Sequence, residues 1–479
     1  MALIDIGSTK QLFVDDYLIE SMSNTRQVMN PAEKVADNPI IQPDRPWEGN
    51  HLFGHQVIYD DADQLFKLRY GANQFTMRRA DGETVIEGYE GGPPSEISFT
   101  CLATSTDGFH WEKPDLGLVE FRGSKRNNIL PDSALMGYYF LDGHEEEAAR
   151  RYKGFKRVGT TRTPGMQFHL FYSPDGMTWT PEEKNPVIDT TPRVGRWGPT
   201  EFMGWDPIRQ VYAVHMENCL HRNSPIRRRL IGRAESPDLI HWSEPETILL
   251  PDEQDPPDLE FYSMDVIPYA GLYVGLLWNF RTNQATHHPQ IVFSRDGIRY
   301  DRRYREPYLA RGPQGSFDSA SVFTDSPLVV GDQILIYYTG RNWRSIETLE
   351  ELEGKGMAHI GLATSPLDGF VSVDGAKRNF SELITRSFAF SGNRLTLNVA
   401  SARQRAWGAD PCEVRVELLR PNHESLPGYG FEDADPITTS GKAQLVSWQG
   451  QSDLGELAGG PIKLHFYFKN AKLYSFQFA

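Results

Sequence analysis

Ser105-Thr106-Asp107-Gly108-Phe109-His110-Trp111 is the stretch whose reading decides the fold, because the chain repeats it. It returns as Ser173-Pro174-Asp175-Gly176-Met177-Thr178-Trp179, then as Ser236-Pro237-Asp238-Leu239-Ile240-His241-Trp242 and Ser294-Arg295-Asp296-Gly297-Ile298-Arg299-Tyr300. A degenerate fifth copy is Ser365-Pro366-Leu367-Asp368-Gly369-Phe370. The copies lie roughly 60 to 70 residues apart, room for four strands and their loops. A single Asp-Gly turn is common in any all-β protein. Five at similar spacing, most with a trailing aromatic, predict the blades of a propeller instead of an unrelated sandwich.

The chemistry of the phrase is that of a tight turn. Asp bonds backbone amides two residues on, Gly accepts a positive φ, and the aromatic re-enters the sheet as an apolar anchor. A strand-like run precedes each copy: Ile97 to Ala103, Met166 to Tyr172, Arg229 to Ala234, Gln290 to Phe293 and His359 to Thr364. No long amphipathic helix stands out. Two charged patches, Asp142 to Lys153 and Ser345 to Gly354, carry the helical signal and are expected as excursions between strands.

The 479 residues carry a formal net charge of −15, so a polyanion would meet net repulsion and nucleic acid is excluded as the expected partner. The one dense basic run, Arg222 and Arg227 to Arg229, falls at an expected hairpin tip. Cys101, Cys219 and Cys412 are odd in number and far apart, which implies neither a disulfide framework nor a zinc site. No run approaches the roughly 18 apolar residues of a membrane span. The expectation is no membrane partner and, by default, a cytoplasmic location, with secreted or periplasmic as the alternative if a signal peptide has been trimmed.

Three regions are expected. Residues 1–40 form an N-terminal strand, Leu12 to Glu20, and a proline-rich strap; 41–378 form a five-bladed β-propeller; 379–479 form a C-terminal β-sandwich, where the period is lost and alternating strands such as Leu473 to Phe478 follow. The class is all-β.

A propeller gathers the starts of its innermost strands around one axis, and in this chain acids recur at those positions. Blade 1 offers Asp44 and Glu48, blade 2 Asp132, blade 3 Glu201, blade 4 Asp258 and Glu260, and blade 5 Asp318 in Gly315-Ser316-Phe317-Asp318. Crowded carboxylates repel, which raises some proton affinities and leaves other groups ionised, as glycoside hydrolysis requires. The catalytic candidates are Glu48, Asp132, Glu201, Glu260 and Asp318. The substrate-binding candidates are Asp44, Trp47, His51, Arg196, Trp197, Tyr262, Trp278, Arg281 and Arg341, aromatics for stacking sugar rings and polar groups for hydroxyls or a carboxylate. His51 and His55 would lie about 13 Å apart on one strand face, so no metal site is expected among the candidates. No cofactor is expected, although a structural or axial Ca ion fits such an architecture.

With these residues in hand, the chain resembles the five-bladed propeller glycosidases, the group that includes glycoside hydrolase families 32, 43, 68 and 130. It is most similar to uncharacterised bacterial proteins labelled family-32-like, in Leu12 to Glu20, Arg45-Pro46-Trp47-Glu48, Ser294 to Gly297, Gly315 to Asp318 and Lys469 to Phe476. The resemblance implies catalytic acids at the starts of the first three blades, here Asp44 or Glu48, Asp132 and Glu201. Trp47-Glu48-Gly49-Asn50 is not the Trp-Met-Asn-Asp-Pro phrase of family 32, so fructosidase specificity is not implied. The expected function is a glycosidase acting in an axial pocket on the end of an oligosaccharide or on a small glycoside, with a carbohydrate as its partner. The alternatives are a non-catalytic carbohydrate-binding propeller and, further off, a sialidase-like enzyme. The sequence carries no signal of oligomeric state.

Overall fold

The computed structural model describes every residue except 1–2, 81–82, 88–96, 132–136, 160–165, 191–199, 221–227, 345–357, 402–403, 406–407 and 410–411. The chain is all-β: among the described residues, helix amounts to two 3-10 turns, Ala148–Arg150 and Gly455–Leu457. The helical patch expected over 142–153 thus comes to one turn followed by the strand Tyr152–Val158. Three residues cannot offset the cost of nucleating an α-helix, and the strand takes over. The patch at 345–354 lies outside the described residues.

The repeated turn has the same wiring in three places and keeps its aspartate cap in a fourth. Ser105 Oγ accepts the Gly108 N–H at 2.9 Å, and Asp107 Oδ1 accepts those of Phe109 and His110 at 2.8 Å each. Ser173 and Asp175 do the same for Gly176, Met177 and Thr178, and Ser294 and Asp296 for Gly297, Ile298 and Arg299. At the third copy Leu239 takes the glycine's place with φ 66°, while Asp238 still caps Ile240 and His241. Gly176 has φ 75°, and a β-carbon there would sit 3.2 Å from the Tyr152 ring, so both backbone and space call for glycine.

Each turn closes an antiparallel meander, and among the described residues five meanders follow one another. The first comprises His51–Asp60, Leu65–Asn73 and Ser98–Ser105; the second Tyr138–Leu141, Tyr152–Val158, Gln167–Ser173 and Thr180–Pro181. The third comprises Thr200–Asp206, Val211–Leu220, Arg228–Ser236 and Glu246–Leu249; the fourth Leu259–Tyr269, Leu272–Arg281, Thr286–Ser294 and Tyr300–Asp301. The fifth runs Ser321–Thr324, Gln333–Arg341 and Ala358–Pro366, and its outer strand is Glu33–Lys34 from the far end of the sequence, paired as Lys34 to Ala363. Its first strand begins at Ser321. The expected start at Gly315 to Asp318 is instead a turn, with Gly315 at φ 92° and Ser316 Oγ donating to the Pro313 carbonyl.

Neighbouring meanders touch in order. The Tyr139 hydroxyl donates to the Gln56 carbonyl, the Tyr138 and Phe202 rings meet at 5.7 Å, Ser263 bonds Glu201, and Thr324 bonds Asp265. The series then returns on itself, because the Gly54 N–H donates to Thr339 Oγ1 and Ala358 pairs with His51. The meanders therefore form a closed propeller-type ring with their first strands innermost.

Buried acid–tyrosine clamps join the ring's members. Asp60, at the end of one first strand, bonds Tyr152 of the next meander and the cations Lys67 and Arg151. Asp142 bonds Tyr212 at 2.8 Å beside Lys153, and Asp206 bonds Tyr273 at 2.8 Å and Arg233 at 2.6 Å.

Contacts divide the chain into two units: Ala32–Pro268 with Tyr273–Thr364, which holds the ring, and Met1–Pro31 with Tyr269–Leu272 and Ser365–Ala479. The second unit is a two-sheet structure. One sheet orders Gly441–Leu445, Leu395–Ser401, Ala471–Phe478, Val371–Gly375 and Thr25–Met29; the other orders Ile19–Ser23, Ser381–Thr385, Lys463–Lys469 and Glu413–Leu419. Phe13, Trp448, Phe466, Phe476 and Phe478 fill the core between them. The N-terminal stretch, expected as a strap ahead of the propeller, supplies three strands to these sheets up to Met29: Gln11–Leu12, which pairs with Ala471–Phe478, Ile19–Ser23 and Thr25–Met29. The strand expected over Leu12 to Glu20 is interrupted where Asp15 Oδ1 caps the Tyr17 N–H, and extended structure resumes at Ile19.

Candidate active site

Two first strands of the ring, and the residue just past a third, carry carboxylates into its interior. Glu201 is the second residue of Thr200–Asp206, held by its neighbours Thr200 and Phe202, whose side chains are buried on the opposite face. It accepts a hydrogen bond from Ser263 Oγ at 3.4 Å. Asp265 lies in the middle of Leu259–Tyr269, fully buried, and its Oδ2 accepts the Trp278 Nε1–H and the Thr324 hydroxyl, both at 3.0 Å. Asp325 follows the last residue of Ser321–Thr324; its N–H donates to the Tyr337 carbonyl, and its Oδ2 comes within van der Waals range of the site a side chain would occupy at Gly54.

Glu201 and Asp325 are surrounded by protein yet keep some surface open to solvent, whereas Asp265 has almost none. Two carboxylates therefore touch solvent, and the third is covered by protein close enough to interact with both. Burial raises all three proton affinities. Glu201 is held well above the ordinary carboxylate range by burial and then by the charges of Asp265 and Asp325; Asp265 is raised by burial and by Asp325; burial alone pushes Asp325 up to about 7.

An aromatic group adjoins the acids. Trp278 packs against Phe323 at 5.2 Å and lies parallel to Tyr262 at 6.5 Å; His287 stacks on Phe280 at 4.3 Å, and His51 on Phe75 at 4.1 Å. Phe53 connects the two ends, meeting both His51 and Phe323. Burial and then Arg341 lower the basicity of His51, to about 3, and of His287, so both rings are neutral at pH 7. His51 Nδ1 and His287 Nε2 are buried without a hydrogen-bond partner, and each can take one from a ligand hydroxyl.

The structure brings Glu201, Tyr262, Trp278, His51 and Arg341 of the sequence candidates to this region; the Arg341 guanidinium lies 5.1 Å from the Phe323 ring. The other acids serve ion pairs. Glu48 is wholly buried and accepts the N–H groups of Asp44 and Arg45, the Tyr70 hydroxyl at 2.6 Å and Lys113 at 2.7 Å, which fastens the loop before the first strand. Asp44 pairs with the same lysine, and Trp47 donates to Asn128 Oδ1. Asp318 is enclosed by Lys34, Tyr338 and Ser316. Glu260 pairs with Arg229, which also holds Glu217; Asp258 pairs with Arg281 at 2.7 Å. Asp132, Arg196 and Trp197 lie outside the described residues.

Asp265 and Asp325 are not among the sequence candidates, since counting back from the turns selects strand starts and neither residue is one. The available signal was an acid inside the otherwise apolar run Met264 to Ile267, where an unpartnered charge is costly and therefore informative. Among the described residues, no group of three or more His, Cys, Asp or Glu is arranged to hold a metal ion.

No protein-family model matches the sequence, and a search of curated proteins finds no match. Among solved structures the chain is similar to a β-1,2-mannobiose phosphorylase from Listeria innocua, at 14% identity over 70% of this chain and 97% of that one, with a TM-score of 0.46. It is also similar to a glycosyl hydrolase from Bacteroides ovatus, at 15% identity over 71% and 94%, with a TM-score of 0.44.

Proposed function

We propose that the chain is a carbohydrate-active enzyme that cleaves a glycosidic bond in the recess at the ring axis. The observation that carries this reading is the pair Glu201 and Asp325, two solvent-touched carboxyl groups of raised proton affinity gathered with a third, buried one, Asp265. Glu201, held well above the ordinary carboxylate range, is the group that gives its proton to the leaving oxygen. Asp325, titrating near neutrality, is the carboxylate that activates water or attacks the anomeric carbon. Asp265 touches neither reacting atom; it lies close enough that its ionisation would raise the proton affinity of Glu201 further. Tyr262 and Phe53 offer partly exposed faces for sugar rings, and His51 and His287 offer ring nitrogens to hydroxyls.

The test is turnover on a panel of aryl glycosides and oligosaccharides, with and without added phosphate. Glu201→Gln and Asp325→Asn are expected to lower kcat by about 10²- to 10⁴-fold each, the usual contribution of a positioned acid or base. Undiminished turnover in both variants would sink the assignment. Glycan binding without turnover in the wild-type chain, unaffected by either change, would favour a lectin-like propeller.

A further inference from the structure

We propose that a second cavity in the ring unit, distinct from the carboxylate recess, binds an acidic saccharide through its carboxylate or sulfate group. The cavity has a volume of about 1050 Å³, the size of a small-molecule site, and is lined by Arg281, Thr286, His288, Arg311, Asn342 and Arg344 among others. It lies on the other side of the sheet from the aromatic group. Phe280 and His287 stack together, while Arg281 follows the first and Thr286 and His288 flank the second, and successive strand residues face opposite ways.

Three guanidiniums meet here in a chain of net charge −15, and no aspartate or glutamate is among the described lining residues. Arg281 is matched by Asp258 at 2.7 Å. Arg311 donates to the Ser319 carbonyl at 3.0 Å and has no carboxylate partner among the described residues; burial and then Arg344 lower its pKa, so its charge is held against a like neighbour. Burial, then Arg311 and Arg281, bring His288 down to about 4, which leaves it neutral at pH 7. Such a gathering of positive charge is offset by a bound oxyanion, whose geometry suits the guanidinium fork. Asn342 adds the second half of the recognition. Its Oδ1 is buried without a hydrogen-bond partner and asks for an O–H or N–H donor, which a sugar hydroxyl supplies and a bare dianion does not. The inference does not depend on the proposed reaction at the axis.

Calorimetric titration of the full chain with D-glucuronate, N-acetylglucosamine 6-sulfate, methyl glucoside and inorganic phosphate tests it. One of the two acidic sugars is expected to bind, more weakly as salt rises, with methyl glucoside and phosphate at least about tenfold weaker. Arg311→Gln and Arg344→Gln, checked for unchanged thermal melting, are each expected to weaken that binding about tenfold or more, as loss of a charge-assisted bond does. Glu201→Gln is expected to retain it. The proposal is overturned if no oxyanion binds, if phosphate binds as well as the acidic sugars, if both arginine variants bind normally, or if Glu201→Gln abolishes the binding.

Discussion

Trp278 donates its indole N–H to Asp265 Oδ2 at 3.0 Å, and the same nitrogen lies 2.9 Å from Thr324 Oγ1. One aromatic thus ties the buried acid of the fourth meander to the first strand of the fifth, and the acid is positioned to act on Glu201 by its charge. Because Asp265 is the first charged contributor to the raised proton affinity of Glu201 after burial itself, Asp265→Asn is expected to move the alkaline limb of the pH–kcat profile to lower pH. A purely structural Asp265 would leave the limb in place and change only melting temperature.

Asp325 makes stability depend on pH with a defined sign. Its folded pKa of about 7 lies above the ordinary 3.8, so protonation favours the folded state. The associated stability is fully present below about pH 3.8 and is lost as pH rises through 7. Between those limits the slope for one group is at most about 1.4 kcal/mol per pH unit, and the solvent contact of Asp325 reduces it. Urea unfolding from pH 4.5 to 8 is expected to show a declining stability that Asp325→Asn flattens; an unchanged slope in the variant would contradict the account.

The clamp of Asp206, Tyr273 and Arg233 is expected to be a major element of ring stability. Asp206 and Arg233 side chains are 0% and 1% exposed, so Asp206→Asn takes one of two carboxylates from a buried guanidinium and leaves only Glu235, at 2.8 Å. A loss of about 2 to 4 kcal/mol is expected. Tyr273→Phe removes a hydroxyl that reaches both carboxylate oxygens at 2.8 Å and is expected to cost about 1 to 2 kcal/mol. Denaturant midpoints that reverse this order would show that the tyrosine carries the clamp.

The repeated turns are scaffold. Asp107→Ala removes the acceptor of two backbone amides and is expected to cost about 1 kcal/mol, with kcat and KM unchanged in the folded protein. Gly176→Ala is expected to cost more, since it meets both the positive φ and the Tyr152 ring. A change in kcat for either variant would place the turns nearer the chemistry than the structure does.

Much of the scaffold is legible in the sequence alone. The runs preceding each turn fall within, or within one residue of, the observed third strands, because hydrophobic alternation and turn chemistry are local properties that a few adjacent residues settle. Glu201 was legible for the same reason, being two residues into a first strand whose phase the turns supply. Acids such as Glu48 and Asp318 share that phase yet are occupied by Lys113 and by Lys34, the latter 284 positions away, and no local pattern announces such partners.

By itself, then, the sequence determined the all-β class, the turns and the strands they close, since each depends on contacts within a few residues. Only the tertiary structure decided which acids meet at the axis. Proton affinity depends on burial and on charges brought close in space, so Asp265 and Asp325, unremarkable in their strands, join Glu201 once the ring closes. The Ser105 to Trp111 phrase marks where the chain turns, and ring closure decides which carboxylates are left to face solvent.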